Sequence, residues 1–346
     1  MFTDEIAKSI ASGSLEKYRA EQIAKWIYQK GVYSFKDMTN IPNTKRQFLS
    51  DHYSIGMPSP MACQHSSDNK TSKYLLAFND GAAVETVLMR QSYGNSVCVS
   101  TQVGCAMGCS FCASTLNGVM RNLTGGEILA QVLFINKILA AENSSVNTIV
   151  IMGSGEPLAN YNNVLRFIRL CHEQYCFNLS FRNITLSTAG VVPGIHDLAN
   201  EGIPINLAIS LHAPNNQIRT KLMPINSKYP IEMVVDAADY YADKTGRRIT
   251  YEYTLIADIN DSPSHAVELA KLLKGRLANV NLIPVNPVPE RGLLRPTRER
   301  VNKFLQVLQS CHTSVTIRRE MGSDIQAACG QLRKNVLTNT GECLQN

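Results

Sequence analysis

From about residue 97 the chain alternates short, continuously apolar stretches with longer segments of helical periodicity, and this alternation constrains the fold more than any other feature. Expected strands lie at 97 to 101, 147 to 152, 183 to 187, 205 to 211, 248 to 256 and 279 to 284. Helical segments fit between and after them, at about 125 to 141, 161 to 175, 193 to 200, 231 to 244, 262 to 275 and 297 to 310. Continuously apolar strands joined by helices imply a parallel sheet covered by helices. Six such units fall short of the eight that close a full barrel. The expected fold is therefore α/β, a partial (β/α)6 TIM-like barrel, with function gathered at the carboxyl ends of the strands.

Two smaller parts precede this core. In the first fifty residues Ser14 opens a segment whose Leu15, Tyr18, Ile23, Trp26 and Ile27 fall near helical spacing, and Gly31 ends it. Residues 73 to 79 and 83 to 89 flank Asp80-Gly81 and predict a β-hairpin, with Glu85 in its second strand. The expected division is a helical accessory domain over 1–60, a hairpin extension over 61–90, the core over 91–325 and a C-terminal segment over 326–346.

Cys105, Cys109 and Cys112 follow the first core strand within eight residues, interleaved with Gly104 and Gly108. Three closely spaced thiolates without a nearby fourth can hold an iron-sulfur cluster and leave one iron open, whereas closed structural sites want a fourth protein ligand. The other polar motifs also fall at strand ends. Gly153-Ser154-Gly155-Glu156-Pro157 follows the second strand and Ser187-Thr188-Ala189-Gly190 the third. Ser210-Leu211-His212 closes the fourth, and Asn286 follows the sixth. Glycines there let a bound group approach the backbone, and Glu156 can pair with a ligand ammonium.

With 346 residues, 44% of them hydrophobic, the chain can bury a sizeable core. No apolar run approaches a bilayer span, and the N-terminus lacks the regions of a signal peptide, so a cytoplasmic location without a membrane partner is expected. In that compartment ten cysteines point to metal binding, catalysis or burial rather than to a disulfide framework. The net charge of +6 permits a polyanionic partner without requiring one. Locally, Arg291, Arg295, Arg298, Arg300 and Lys303 fall within thirteen residues that hold a single acid, Glu299. This run, with Lys70, Lys73, Arg318, Arg319, Arg333 and Lys334, is a candidate grip on nucleic-acid phosphates, a solvated helix face being the plainer reading of the run.

The Cys-x3-Cys-x2-Cys motif after a strand, with Phe111 before the last cysteine and a Gly-Glu-containing second loop, resembles the radical S-adenosylmethionine superfamily. More narrowly, Cys98-Val99-Ser100-Thr101-Gln102-Val103-Gly104-Cys105, Arg121-Asn122-Leu123-Thr124, Leu222-Met223-Pro224-Ile225-Asn226 and Ala327-Ala328-Cys329-Gly330-Gln331-Leu332 resemble the RlmN/Cfr family of adenosine RNA methyltransferases. Residues Ser114 to Gly118 depart from the family's common loop.

The resemblance implies that Cys105, Cys109 and Cys112 bind a [4Fe-4S] cluster whose free iron takes the amino and carboxylate groups of S-adenosyl-L-methionine. Gly155, Glu156, Ser187, Ser210, Leu211, His212 and Asn286 match positions that hold this cofactor. Two cofactor molecules serve each turnover. The first methylates Cys329, a role suited to a thiolate. Reductive cleavage of the second yields a radical that takes hydrogen from that methyl group, and the carbon radical adds to the adenine. Cys98 matches the cysteine that then forms a transient disulfide with Cys329, and Glu85 matches the proton acceptor. Implied partners are 23S ribosomal RNA, tRNA and an external electron donor. The stretches 187–193 and 281–288 look closer to the branch that methylates C2 than to the Cfr-like branch that methylates C8. From another class, a non-enzymatic RNA-binding protein with a structural metal site requires a fourth ligand near the triad.

Overall fold

The computed structural model describes residues 1, 3–11, 16, 18–286, 288–318 and 325. Three helices come first, α1 (Thr3–Ala11), α2 (Tyr18–Tyr28) and α3 (Asn43–His52). The chain then runs through β1 (Ser59–His65), β2 (Thr71–Ala77), β3 (Ala83–Gln91) and β4 (Gly94–Cys98). A small pair, β5 (Gln102–Gly104) and β6 (Val119–Asn122), leads into α4 (Gly125–Ala141). Alternation follows in β7 (Val146–Ile151), α5 (Tyr161–His172), β8 (Ile184–Thr188), α6 (Val192–Asn200), β9 (Asn206–Ser210), α7 (Asn216–Leu222) and α8 (Ile231–Thr245). It ends with β10 (Ile249–Leu255), α9 (Pro263–Leu272), β11 (Ala278–Pro284), α10 (Arg298–Ser310) and β12 (Val315–Ile317).

Ten strands form one sheet in the order β1-β2-β3-β4-β7-β8-β9-β10-β11-β12. Pairing is antiparallel from β1 to β4 and parallel from β4 to β12. Six βα units build the parallel part, as the apolar periodicity predicts, and the sheet stays open. β12 adds a seventh parallel strand whose three residues are too few to show a pattern in the sequence. The first core strand ends at Cys98, short of the expected residue 101. Beyond it Ser100 N–H donates to the Gln131 side chain at 2.9 Å and Thr101 N–H to Ser154 O at 2.8 Å, so this backbone leaves the ladder.

Strand alternation divides the sheet into two faces. Val97, Ile149, Leu186, Ile209, Tyr251 and Leu282 turn to the helices and lie in one continuous core with residues of α2, α4, α5, α6 and α8. The opposite face carries Glu85, Cys98, Ser187, Ser210, Glu252 and Asn281, an inner face that is largely polar. A sheet buried against helices on one side and open on the other needs apolar residues only on the first, which leaves the second free for chemistry. Among the described residues no helix is long and apolar enough to cross a membrane.

Candidate active site

The three cysteines sit on the loop between β5 and β6. Gly104, with φ of +80°, turns the chain out of β5; a Cβ there would stand 2.0 Å from Gly118 O, so no other residue fits. Thr115 Oγ1 closes the loop by hydrogen bonds to the carbonyls of Cys109 (3.2 Å) and Cys112 (2.9 Å). An apolar bowl receives it: Cys109 packs with Ala189, Leu222, Met223, Ile256 and Val285, residues that follow strands β8, β10 and β11 or belong to the segment after β9. Ser110 N–H donates to Leu222 O at 2.9 Å. The Leu-Met-Pro-Ile-Asn segment is thus a wall against which the cysteine loop rests, at the carboxyl ends of the strands.

Burial pushes all three thiols upward, and the Cys109 sulfur is raised further by Cys112 and Cys105. None of the three is in a disulfide. Backbone N–H groups of Met107 and Gly155 meet the Cys105 sulfur, and that of Ser114 meets Cys112. Buried thiols, two of them met by backbone N–H groups and two lying in the apolar bowl, suit thiolates whose charge is taken by metal. No group of three Cys, His, Asp or Glu side chains is drawn together for a single ion among the described residues.

The second loop is held against the first by two of its glycines. A Cβ on Gly153 would lie 2.6 Å from Ser100 Oγ, and one on Gly155, whose φ is +107°, 2.7 Å from Gln102 Cβ. Close approach here is between two loops of the protein itself. Glu156, 2% exposed, accepts from Thr188 Oγ1 (2.7 Å), Ala189 N (2.7 Å) and Leu158 N (3.0 Å), joining the ends of β7 and β8. Burial raises its carboxyl pKa, and these donors oppose the rise.

Ser187 and Ser210 stand side by side on the inner face with their hydroxyls 3.4 Å apart. Leu211 turns its side chain into the core, while its N–H donates to Glu252 O and its carbonyl accepts from Arg219 Nε. His212 adopts a φ of +56° and is 4% exposed. Its Nδ1 accepts the Thr254 N–H at 2.9 Å, which places the ring proton on Nε2. Burial, then the Arg219 charge, lowers its pKa to about 3, so the ring is neutral. Phe111 of the cysteine loop meets it edge-on at 4.7 Å. Asn286 is exposed just beyond β11.

On the antiparallel side Cys98 faces Val87, two residues along β3 from Glu85, so Glu85 and Cys98 share the inner face. Glu85 O accepts from Ser100 Oγ at 2.8 Å, tying this strand to the loop that follows Cys98. Cys329 lies outside the described residues, as do Arg319, Arg333 and Lys334.

Radical SAM superfamily is the description of the family model that matches residues 99–273, and a second model, Ribosomal RNA large subunit methyltransferase N-terminal domain, matches 3–55. A curated protein of Symbiobacterium thermophilum, "Probable dual-specificity RNA methyltransferase RlmN", is 51% identical over 96% of this chain and 90% of its own length. One of the same name from Geobacillus kaustophilus is 49% identical over 95% and 90%. The chain belongs to the RlmN family of radical S-adenosylmethionine enzymes. A crystal structure of a radical SAM methyltransferase from Sphaerobacter thermophilus superposes with a TM-score of 0.93 at 42% identity, covering 96% of this chain and 97% of that one. As an RlmN-family member the chain is an S-adenosylmethionine-dependent RNA methyltransferase with a [4Fe-4S] cluster.

Several site residues gave no sign of their part in the sequence. Arg219 is fully buried and donates to Ala189 O (2.7 Å), Asn226 Oδ1 (2.9 Å), Leu211 O (3.2 Å), Ser210 O (3.3 Å) and Tyr229 O (3.3 Å). It thereby fixes the ends of β8 and β9 together. Asn260 similarly binds His212 O and Thr254 O. Lys73 and Arg291 differ from their expected place at a phosphate grip. Lys73 is 1% exposed because it faces inward on β2, and Arg291 is half-buried with its Nη2 donating to Thr115 Oγ1 at 2.9 Å. Lys70, Arg295, Arg298, Lys303 and Arg318 are exposed.

Proposed function

We propose that the chain methylates C2 of an adenosine in 23S ribosomal RNA, and an adenosine of the tRNA anticodon loop, through a methylated Cys329. The observation that carries this reading is the shared inner face of Glu85 and Cys98, beside the strand ends that hold the cysteine bowl. Relatives named for dual specificity toward RNA support the pair of substrates.

In this reading Cys105, Cys109 and Cys112 ligate the cluster, and Gly155, Glu156, Ser187, Ser210, Leu211, His212 and Asn286 surround S-adenosylmethionine. When bound, the cluster supplies the electron that turns the cofactor into a hydrogen-abstracting radical source. Ser187 and Ser210 present adjacent hydroxyls as donors or acceptors to a polar ligand on the inner face. Neutral His212 offers an Nε2 donor without adding charge. Glu156 keeps the second loop in place through its three accepted bonds. Glu85 takes the proton from the target ring carbon, and the unpaired electron of the adduct returns to the external electron carrier. The Cys98 thiolate attacks the Cys329 sulfur, so that the S–S bond forms as the C–S bond to the base breaks and the freed methylene carbon takes up a proton to become the methyl group. Thiols outside the site restore both cysteines.

Mass spectrometry of digested ribosomal and transfer RNA from cells with and without the gene tests the reading. Loss of C2-methyladenosine from both RNAs is expected; loss of C8-methyladenosine in its place overturns the assignment of the carbon. Cys329→Ala abolishes methylation, and Cys98→Ala accumulates protein covalently joined to RNA. Cys112→Ala gives a colourless protein, because two thiolates do not retain the cluster.

A further inference from the structure

Lys73 is the most deeply buried ammonium on the inner face, and its position follows from strand register. In the β2–β3 ladder it faces Val87, which in the β3–β4 ladder faces Cys98. The three side chains stand in one row across three strands, and Glu85 stands one step along β3 on the same face. Lys73 Nζ lies 3.9 Å from Glu85 Oε1, with side-chain exposures of 1% and 10%. A charged amine hidden from water is costly unless an anion meets it. The separation exceeds a direct hydrogen bond, so the ammonium acts on the carboxylate by charge.

We propose that Lys73 is a positioning residue for proton removal from the RNA base, holding the Glu85 carboxylate aimed at the ring carbon. The inference rests on the reading of Glu85 as proton acceptor. In the step it serves, the ring C–H bond breaks, its electron pair stays with the ring, and the proton moves to the Glu85 carboxylate. Lys73 keeps its own protons throughout. An aliphatic side chain at this site leaves the carboxylate buried without its cation and free to rotate. Proton removal then becomes slow, while methylation of Cys329, which uses no base on the RNA, proceeds.

The test compares full-length, cluster-loaded Lys73→Met and Glu85→Gln with the parent protein. Three quantities are read: Cys329 methylation by peptide mass spectrometry, covalent protein–RNA adduct, and turnover with hydrogen or deuterium at the target carbon. Lys73→Met is expected to methylate Cys329 within about twofold of the parent, to accumulate adduct, and to lose turnover by roughly 100-fold with an enlarged isotope effect. Glu85→Gln shows the same pattern. Parent-like turnover in Glu85→Gln sinks the reading of Glu85 itself. An impaired Glu85→Gln beside a parent-like Lys73→Met overturns the role of Lys73 alone. Loss of Cys329 methylation and adduct together in Lys73→Met also overturns it, since Lys73 then serves only the fold.

Discussion

Arg291 Nη2 donates to Thr115 Oγ1 at 2.9 Å across 176 residues of sequence, and that same hydroxyl holds the carbonyls of Cys109 and Cys112. One guanidinium therefore ties the turn after Asn286 to the loop that carries the cluster. Arg291→Ala and Thr115→Val should each loosen this loop and speed iron loss to a chelator by several-fold, followed by the decay of visible absorption. Arg298→Ala, on an exposed arginine, should leave iron loss unchanged and reduce the salt slope of RNA binding by about one. Equal iron loss in all three variants would count against the clamp.

Arg219→Met removes a buried donor shared by four carbonyls and the Asn226 side chain. Hydrogen bonds to a charged group are each worth about 1.5–3 kcal/mol, and the acceptors left behind are buried. A loss of about 3 kcal/mol or more is expected in urea unfolding of the intact chain. A change within 1 kcal/mol shows that water replaces the guanidinium.

Gly155→Ala and Gly81→Ala separate contact from conformation. Both glycines have positive φ, +107° and +79°, but only at Gly155 would a Cβ meet protein, 2.7 Å from Gln102. Gly81→Ala should cost the conformational part alone, about 1–2 kcal/mol. Gly155→Ala should cost at least twice that and weaken S-adenosylmethionine retention in equilibrium dialysis. Equal costs would place the whole effect in φ.

His212 titrates near pH 3 when folded, against about 6.5 unfolded. As pH falls below about 6.5 the unfolded chain takes up this proton first. Stability from this group is therefore complete above pH 6.5 and declines by up to about 1.4 kcal/mol per pH unit toward pH 3. Glu156 and Glu252, whose folded pKa values are raised by burial, act in the opposite sense. His212→Asn keeps an acceptor for Thr254 N–H and tolerates positive φ. It should steepen neither arm and flatten the fall between pH 6 and 4, measured by denaturant unfolding. A fall as steep as the parent's would assign the acid sensitivity to other groups.

Most of the architecture was legible because it is written in local pattern. Apolar strands at 147 to 152 and 279 to 284 and the helix at 125 to 141 announce themselves within a few residues. The cysteine triad is equally local. Charges were misread because their surroundings are not local. Lys73 and Arg291 resemble surface residues in sequence, and only strand register turns the first inward while only a loop from another βα unit captures the second. Gly153 and Gly155 were expected to let a bound group approach the backbone, and the space their missing Cβ atoms would take is bounded by Ser100 and Gln102.

By itself the sequence determined the order of βα units, the place of the three cysteines at a strand end and the chemistry three thiolates support. Periodicity and spacing report short-range sterics and the burial of apolar surface, which a few consecutive residues set. Tertiary structure alone decided that Glu85, Lys73 and Cys98 share one face, that Arg219 locks the ends of β8 and β9, and that Arg291 serves the cysteine loop. Charged side chains take their role from the partner that offsets their removal from water, and here that partner comes from another strand or a distant loop.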